Sequence, residues 1–236
     1  MKILCFDSAE ALAKAAAGEI AALIEKKPDC VLGLATGSTP EDTYRELVRM
    51  HKEEGLDFSR VTSYNLDEYV GLDPTHPQSY RYFMNVHLFD HVNIDKANTH
   101  IPDGNYPSGE AYDAAIAAAG GVDLQVLGIG RNGHVGFNEP GEYLVTGTHE
   151  AILTEDTREA NARFFSSIDE VPKSAMSMGM GSIFAARKIL LLALGEGKRE
   201  AIRALLDEKI TPMIPATLLK LHPDVTVLCD RAALGE

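Results

Sequence analysis

The chain has 236 residues, 45% of them hydrophobic, and carries 35 acidic against 22 basic side chains, a formal net charge of -13 at pH 7. That length and apolar content suffice for a single domain, 1–236, with a large core, and the acidic balance argues against a nucleic-acid surface and against attraction to anionic lipid. Any anionic ligand needs a local positive site within a repelling field.

The opening MKILCFDSAEALAKAAA is interrupted by Asp7 and Glu10, so it lacks a signal-peptide core, and no apolar run approaches bilayer-spanning length. A soluble, cytoplasmic protein without membrane association is expected. Cys5, Cys30 and Cys229 are far apart, each in an apolar strand-like run, and read as small core residues in a reducing compartment.

MKILCF reads as a first strand, and Ser8 opens an alanine-rich amphipathic helix to about Lys26. CVLGLA (30–35) is a second, buried strand; TGST follows, and a helix starts at Pro40 and runs to about Lys52. VTSYN (61–65) is a short strand leading to Asp67 and Glu68, then a long turn-rich loop and the helical YRYFMNVHLFDHV. A short strand near 99–101, a helix near 109–119 and the buried strand VDLQVLGI (122–129) come next. Residues 141–173 are polar and weakly patterned, the character of an active-site lid. ILLLALG (189–195), a helix over 196–209 and VTVLCD (225–230) complete the chain. Alternating helices and near-continuously apolar strands predict an α/β fold: a doubly wound, mostly parallel sheet with helices on both faces.

In such a sheet ligands bind at the carboxyl ends of the strands, so three loops stand out. In GIGRNGHVGFNEP (128–140), glycine density lets backbone approach a ligand. His134 can exchange protons near neutral pH, Glu139 can hold or share that proton, and Asn132 can fix the imidazole tautomer. In LGLATGSTPED, Gly37 turns the strand toward Thr39 as N-cap, with Pro40 at the first helical position and Asp42 completing a capping box. Free N–H groups and the Ser38 and Thr39 hydroxyls there suit a phosphate, an ordinary cap being the alternative. Neither a Walker A loop nor a dinucleotide fingerprint is present. Of Asp67 and Glu68, adjacent in an extended chain, one at most faces the cleft, where it can act as a general base; a solvated loop pair is the alternative. Arg158, Arg163 and Lys198 are basic residues able to complete a phosphate site. His87, His91 and His134 lack ligand spacing, so no metal is expected.

Taken in order, LGLATGSTP, YNLDEYVGL, GIGRNGHVGFNEP, DTREANARFF and ALGEGK resemble the glucosamine-6-phosphate deaminase family over nearly the whole chain. The resemblance implies conversion of glucosamine 6-phosphate and water to fructose 6-phosphate and ammonia, with a mobile lid and neither metal nor organic cofactor. It implies Asp67 as the base between C2 and C1, His134 as the ring-opening group and Glu139 as its support. It assigns the phosphate to Gly37, Ser38, Thr39, Arg163 and Lys198, and leaves Arg158 structural.

Two departures from the larger relatives carry expectations. Many have Asp where this chain has Asn132, which leaves Glu139 as the sole charge beside His134. The hexameric, allosterically activated members have basic residues near the positions of His149 and Ala151 and a longer C-terminal segment. No activation by N-acetylglucosamine 6-phosphate is therefore expected, with a monomer or small homo-oligomer. A 6-phosphogluconolactonase or other sugar-phosphate isomerase shares the phosphate loop and the histidine but does not require the YNLDEYVGL carboxylate. A sugar-phosphate sensor would need a helix-turn-helix, for which the first strand at Met1 and the negative charge leave no room.

Overall fold

The structure, a computed structural model, describes residues 1–103, 106, 108–162 and 165–236. The chain runs β1 (Lys2–Phe6), α1 (Ala9–Lys26), β2 (Val31–Leu34), α2 (Ser38–Arg49), β3 (Thr62–Asn65), β4 (Asp67–Tyr69), α3 (Tyr80–Met84), β5 (Thr99–His100) and α4 (Gly109–Ala118). It continues through β6 (Leu124–Leu127), β7 (His149–Ile152), α5 (Glu155–Ala162), β8 (Ser174–Ser177), α6 (Met180–Phe184), β9 (Ile189–Ala193), α7 (Arg199–Leu206), β10 (Val225–Asp230) and α8 (Arg231–Leu234). Single π-helical turns extend α2 and α3.

Seven strands form one sheet in the order β1-β10-β9-β6-β2-β3-β5, every neighbour parallel. Every residue of β2, β6 and β9 is buried, as a strand covered on both faces requires. The helices supply that cover. In α1, Ser8 Oγ accepts from the Ala11 N–H at 3.1 Å and fixes the start. Leu12, Ala13, Ala16, Ala17, Ile20, Ala21 and Ile24 then recur at helical spacing to form its buried stripe. Among the described residues no helix is long and apolar enough to cross a membrane.

Three expectations need correction. The helix after β2 begins at Ser38, and Gly37, not Thr39, occupies the N-cap place. Gly37 has φ +102°, so the turn is made by a glycine in left-handed territory; Thr39 is then already helical, and Asp42 pairs with Arg45 at 2.6 Å instead of capping. Second, Asp67 and Glu68 do not lie in a loop. They form β4, the edge of a second, antiparallel sheet ordered β4-β8-β7, in register Asp67 to Ser177 and His149 to Ser177. This sheet draws β7 from the weakly patterned 141–173 stretch, where exposed and half-buried residues alternate. Third, Cys5 is exposed on the edge strand β1, whereas Cys30 and Cys229 are buried and burial raises their thiols to about 12 and about 11.

Candidate active site

Four adjacent parallel strands, β9, β6, β2 and β3, end on the same rim, and each delivers one of the chemistry-bearing stretches. β9 leads to Gly195 and Lys198, β6 to the 128–140 loop, β2 to Gly37–Thr39, and β3 through Leu66 to Asp67. Stretches far apart in sequence thus come to one rim because their strands lie side by side.

Asp67 and Glu68 diverge as adjacent strand residues must. Glu68 is turned into the protein, where Oε1 accepts from the N–H groups of Tyr69 and Tyr80 at 2.8 and 3.0 Å. Its Oε2 accepts from the Arg81 N–H at 2.9 Å and the Ser79 hydroxyl at 3.0 Å. Glu68 therefore anchors the first turn of α3 and is structural. Asp67 is 7% exposed and its carboxylate makes no hydrogen bond among the described residues. Burial, and secondly the neighbouring Glu68 carboxylate, raise its carboxyl from 3.8 to about 7. Tyr69, two residues on and on the same strand face, packs with Tyr80 and Phe137 in an aromatic group beside it. A carboxylate so placed exchanges a proton at neutral pH.

The 128–140 loop builds a three-residue chain. Asn132 Oδ1 accepts from the His134 backbone N–H at 3.1 Å and from His134 Nδ1 at 2.7 Å, while Asn132 Nδ2 donates to Glu139 Oε2 at 2.8 Å. The backbone N–H can only donate, so it fixes which end of the amide faces the ring. The ring hydrogen then resides on Nδ1 and the Nε2 lone pair is left for chemistry. Glu139 Oε2 lies 3.4 Å from Nδ1, close enough to stabilise an imidazolium. Gly130 makes the arrangement possible: a β-carbon there would meet the His134 ring at 2.2 Å.

At the start of α2, Gly37 and Ser38 are exposed and the Ser38 and Thr39 hydroxyls make no hydrogen bond among the described residues. The turn thus presents free donors at the positive end of a 12-residue helix. Lys198 has no acidic partner among the described residues, and burial, then nearby Arg131, lower its ammonium pKa. Arg163 lies outside the described residues. Arg158 donates to the Ile168 carbonyl at 2.8 Å, tying α5 to the following turn. Among the described residues no group of three His, Cys, Asp or Glu side chains is placed to hold a metal.

Sequence reasoning missed the supports. Asp230, at the end of β10, accepts from the Gly195 N–H with both oxygens, at 3.0 and 3.1 Å, and caps α8 through the Ala233 N–H at 2.8 Å. An Asp between a strand and a helix signals a cap; its grip on the Lys198 loop depends on β10 lying beside β9.

The profile of the family described as glucosamine-6-phosphate isomerases and 6-phosphogluconolactonases matches residues 6–228. A glucosamine-6-phosphate deaminase of Clostridium perfringens is 55% identical over 237 residues, covering 99% of this chain and 98% of its own. That of Bacillus velezensis is 49% identical over 239 residues, covering 100% and 99%. The structure of a monomeric glucosamine-6-phosphate deaminase superposes with a TM-score of 0.96 at 47% identity, covering 100% of this chain and 99% of that one. The 6-phosphogluconolactonase of Trypanosoma cruzi, with a TM-score of 0.77 at 18% identity, shares the fold. The chain belongs to the family of glucosamine-6-phosphate isomerases and 6-phosphogluconolactonases and, within it, to the glucosamine-6-phosphate deaminases.

Proposed function

We propose that this chain converts glucosamine 6-phosphate and water to fructose 6-phosphate and ammonia, a step of amino-sugar breakdown. The observation that carries the reading is the placement, on one rim at the ends of β3 and β6, which flank β2, of a buried carboxylate of pKa about 7 that has no side-chain partner among the described residues and an imidazole whose Nδ1 is engaged by Asn132.

His134 Nε2 takes the proton from O1 of the pyranose and gives one to O5, opening the ring; Glu139 stabilises the transient imidazolium and Asn132 holds the ring in register. Asp67, as carboxylate, takes the proton from C2; the electrons of that C–H bond form the C1–C2 double bond of an enolamine as the π pair of the C1 carbonyl passes to O1, which takes a proton from solvent. The same carboxyl returns the proton to C1, leaving a C2 imine. Water adds to the imine carbon and ammonia leaves, giving the ketose. A single base on one face suffices for both transfers.

The phosphate, remote from the reacting carbons, holds them in place. Gly37, Ser38 and Thr39 offer donors at the α2 terminus and Lys198 a point charge, with Arg163 assigned to the same anion by family resemblance. The segment 141–173 acts as the cover of this site, anchored through β7 in the small sheet. The protein works in the cytoplasm as a monomer or small homo-oligomer. The deciding assay measures ammonia and fructose 6-phosphate formed from glucosamine 6-phosphate by the wild type and by Asp67→Asn; an inactive wild type overturns the reaction, and an equally active Asp67→Asn overturns the role of Asp67.

A further inference from the structure

The two reacting groups sit on different sheets. Asp67 belongs to the antiparallel sheet, His134 and Glu139 to a loop leaving the parallel one. Proton transfer at C2 follows ring opening on the same substrate, so the separation of these groups must be fixed to a fraction of an ångström. Two side chains join the sheets at that point. Ser177, fully buried at the end of β8, is the register partner of Asp67, and its Oγ accepts the N–H of Phe137 at 3.1 Å. Asn138 donates through Nδ2 to the carbonyls of Val135 and Met178, both at 2.9 Å, while Met178 in turn donates its N–H to the Leu66 carbonyl at 2.8 Å. The end of β8 is thus stitched on one side to Leu66 and Asp67 and on the other to the turn between His134 and Glu139.

The stitching closes around Gly136, a left-handed glycine at φ +57°. The place its β-carbon would occupy lies 3.1 Å from Ser177 Oγ and 3.6 Å from both Asn138 Nδ2 and Asp67 Oδ2. Ser177 accordingly touches the catalytic loop through its side chain and the base through its backbone.

We infer that Ser177 is a positioning residue for the deamination, a strut that sets Asp67 against His134. The inference rests on the deaminase reading. It concerns the C2–C1 transfer, the step that needs both groups at once, and leaves the phosphate subsite at Gly37 and Lys198 untouched.

The test compares wild type with Ser177→Ala, which leaves the Phe137 N–H without its acceptor, and Ser177→Cys, which keeps the side-chain volume but accepts weakly. Each is assayed with glucosamine 6-phosphate and with its C2-deuterated form. Misplacement of a reacting group predicts kcat lowered about tenfold, KM within about twofold of wild type, and a larger deuterium isotope effect on kcat, because C–H cleavage becomes more nearly rate-limiting. A purely structural role lowers kcat only through the fraction of folded enzyme, and that fraction cannot alter an isotope effect. Wild-type isotope effects in both variants overturn the inference while wild-type ammonia release leaves the deaminase reading standing; a wild type that releases none overturns both.

Discussion

Asp67 and Glu68 are covalent neighbours buried alike, yet Glu68 accepts four hydrogen bonds and Asp67 none among the described residues. Desolvation acts on both; only Glu68 has it offset by donors. The protein thereby spends one acid on holding α3 and keeps its neighbour poised to exchange a proton.

The rate should follow that proton. Asp67 must be ionised to take the C2 hydrogen, and its pKa is about 7, so kcat/KM falls tenfold per pH unit below that value, measured over pH 5 to about 9. Asp67→Asn should lower kcat by about 10²–10⁴, the usual contribution of a general base. A profile flat down to pH 5 would remove Asp67 from the role.

Stability should move the other way. A carboxyl raised from 3.8 to about 7 on folding binds its proton more tightly in the native state, so its contribution is complete below pH 3.8 and is lost as pH rises to about 7. Asp67→Asn, which has no charge to bury, should therefore be more stable than wild type at pH 8 by up to a few kcal/mol, at roughly 1.4 kcal/mol per pKa unit. Urea midpoints at pH 4, 6 and 8 measure it: the advantage should grow from near zero and level off above about pH 7.

The chain from His134 to Glu139 through Asn132 makes distinct forecasts for its two ends. Glu139→Gln removes the one carboxylate that pairs with the His134 ring among the described residues and should lower kcat by about 10²-fold. Asn132→Asp still accepts from the backbone N–H and Nδ1 of His134 and adds a charge beside the ring, so activity should stay within about tenfold of wild type. It also sets a second carboxylate where an amide donates to Glu139 at 2.8 Å, so one of the two acids should hold a proton. Near-normal turnover in Glu139→Gln would show that the amide alone suffices. Ammonia release by Asn132→Asp, compared with wild type, checks the second forecast.

Gly130→Ala tests the packing behind His134. A β-carbon 2.2 Å from the ring cannot be accommodated by the loop backbone, so the imidazole must swing away from Asn132. Turnover should fall about 10²-fold, the usual effect of an ångström-scale misplacement, with KM nearly unchanged. The same substitution at Gly18 in α1, where nothing lies within 4 Å, should leave activity at the wild-type level.

The parallel sheet was legible because most of its strands, such as VLGL, LQVL and ILLLA, are buried apolar runs separated by helices, and each rim stretch directly follows a strand. The antiparallel sheet was not. Its strands DEY, HEAI and SAMS contain no apolar run, and β4 is separated from β3 by Leu66 alone, with no turn residue to announce the change of sheet. Thr39 was read as a cap from residue type, whereas the backbone of Gly37 decides where α2 begins. The hydrogen-bonded link of His134, Asn132 and Glu139 was legible because the three share one loop. Ser177 and Asp230 were not, since their importance comes from strands that meet only in three dimensions.

The outermost strand β1 has one neighbour in the sheet, β10, with Lys2 beside Thr226 and Cys5 beside Cys229. Among the described strands β1, first in chain order, thus pairs only once β10, last in chain order, has been made. β10 also lies between β1 and β9 and supplies Asp230 to the Lys198 loop. Completion of this edge of the sheet and completion of that loop therefore become one late folding event, slowed by the entropy of closing the long stretch of chain between β1 and β10.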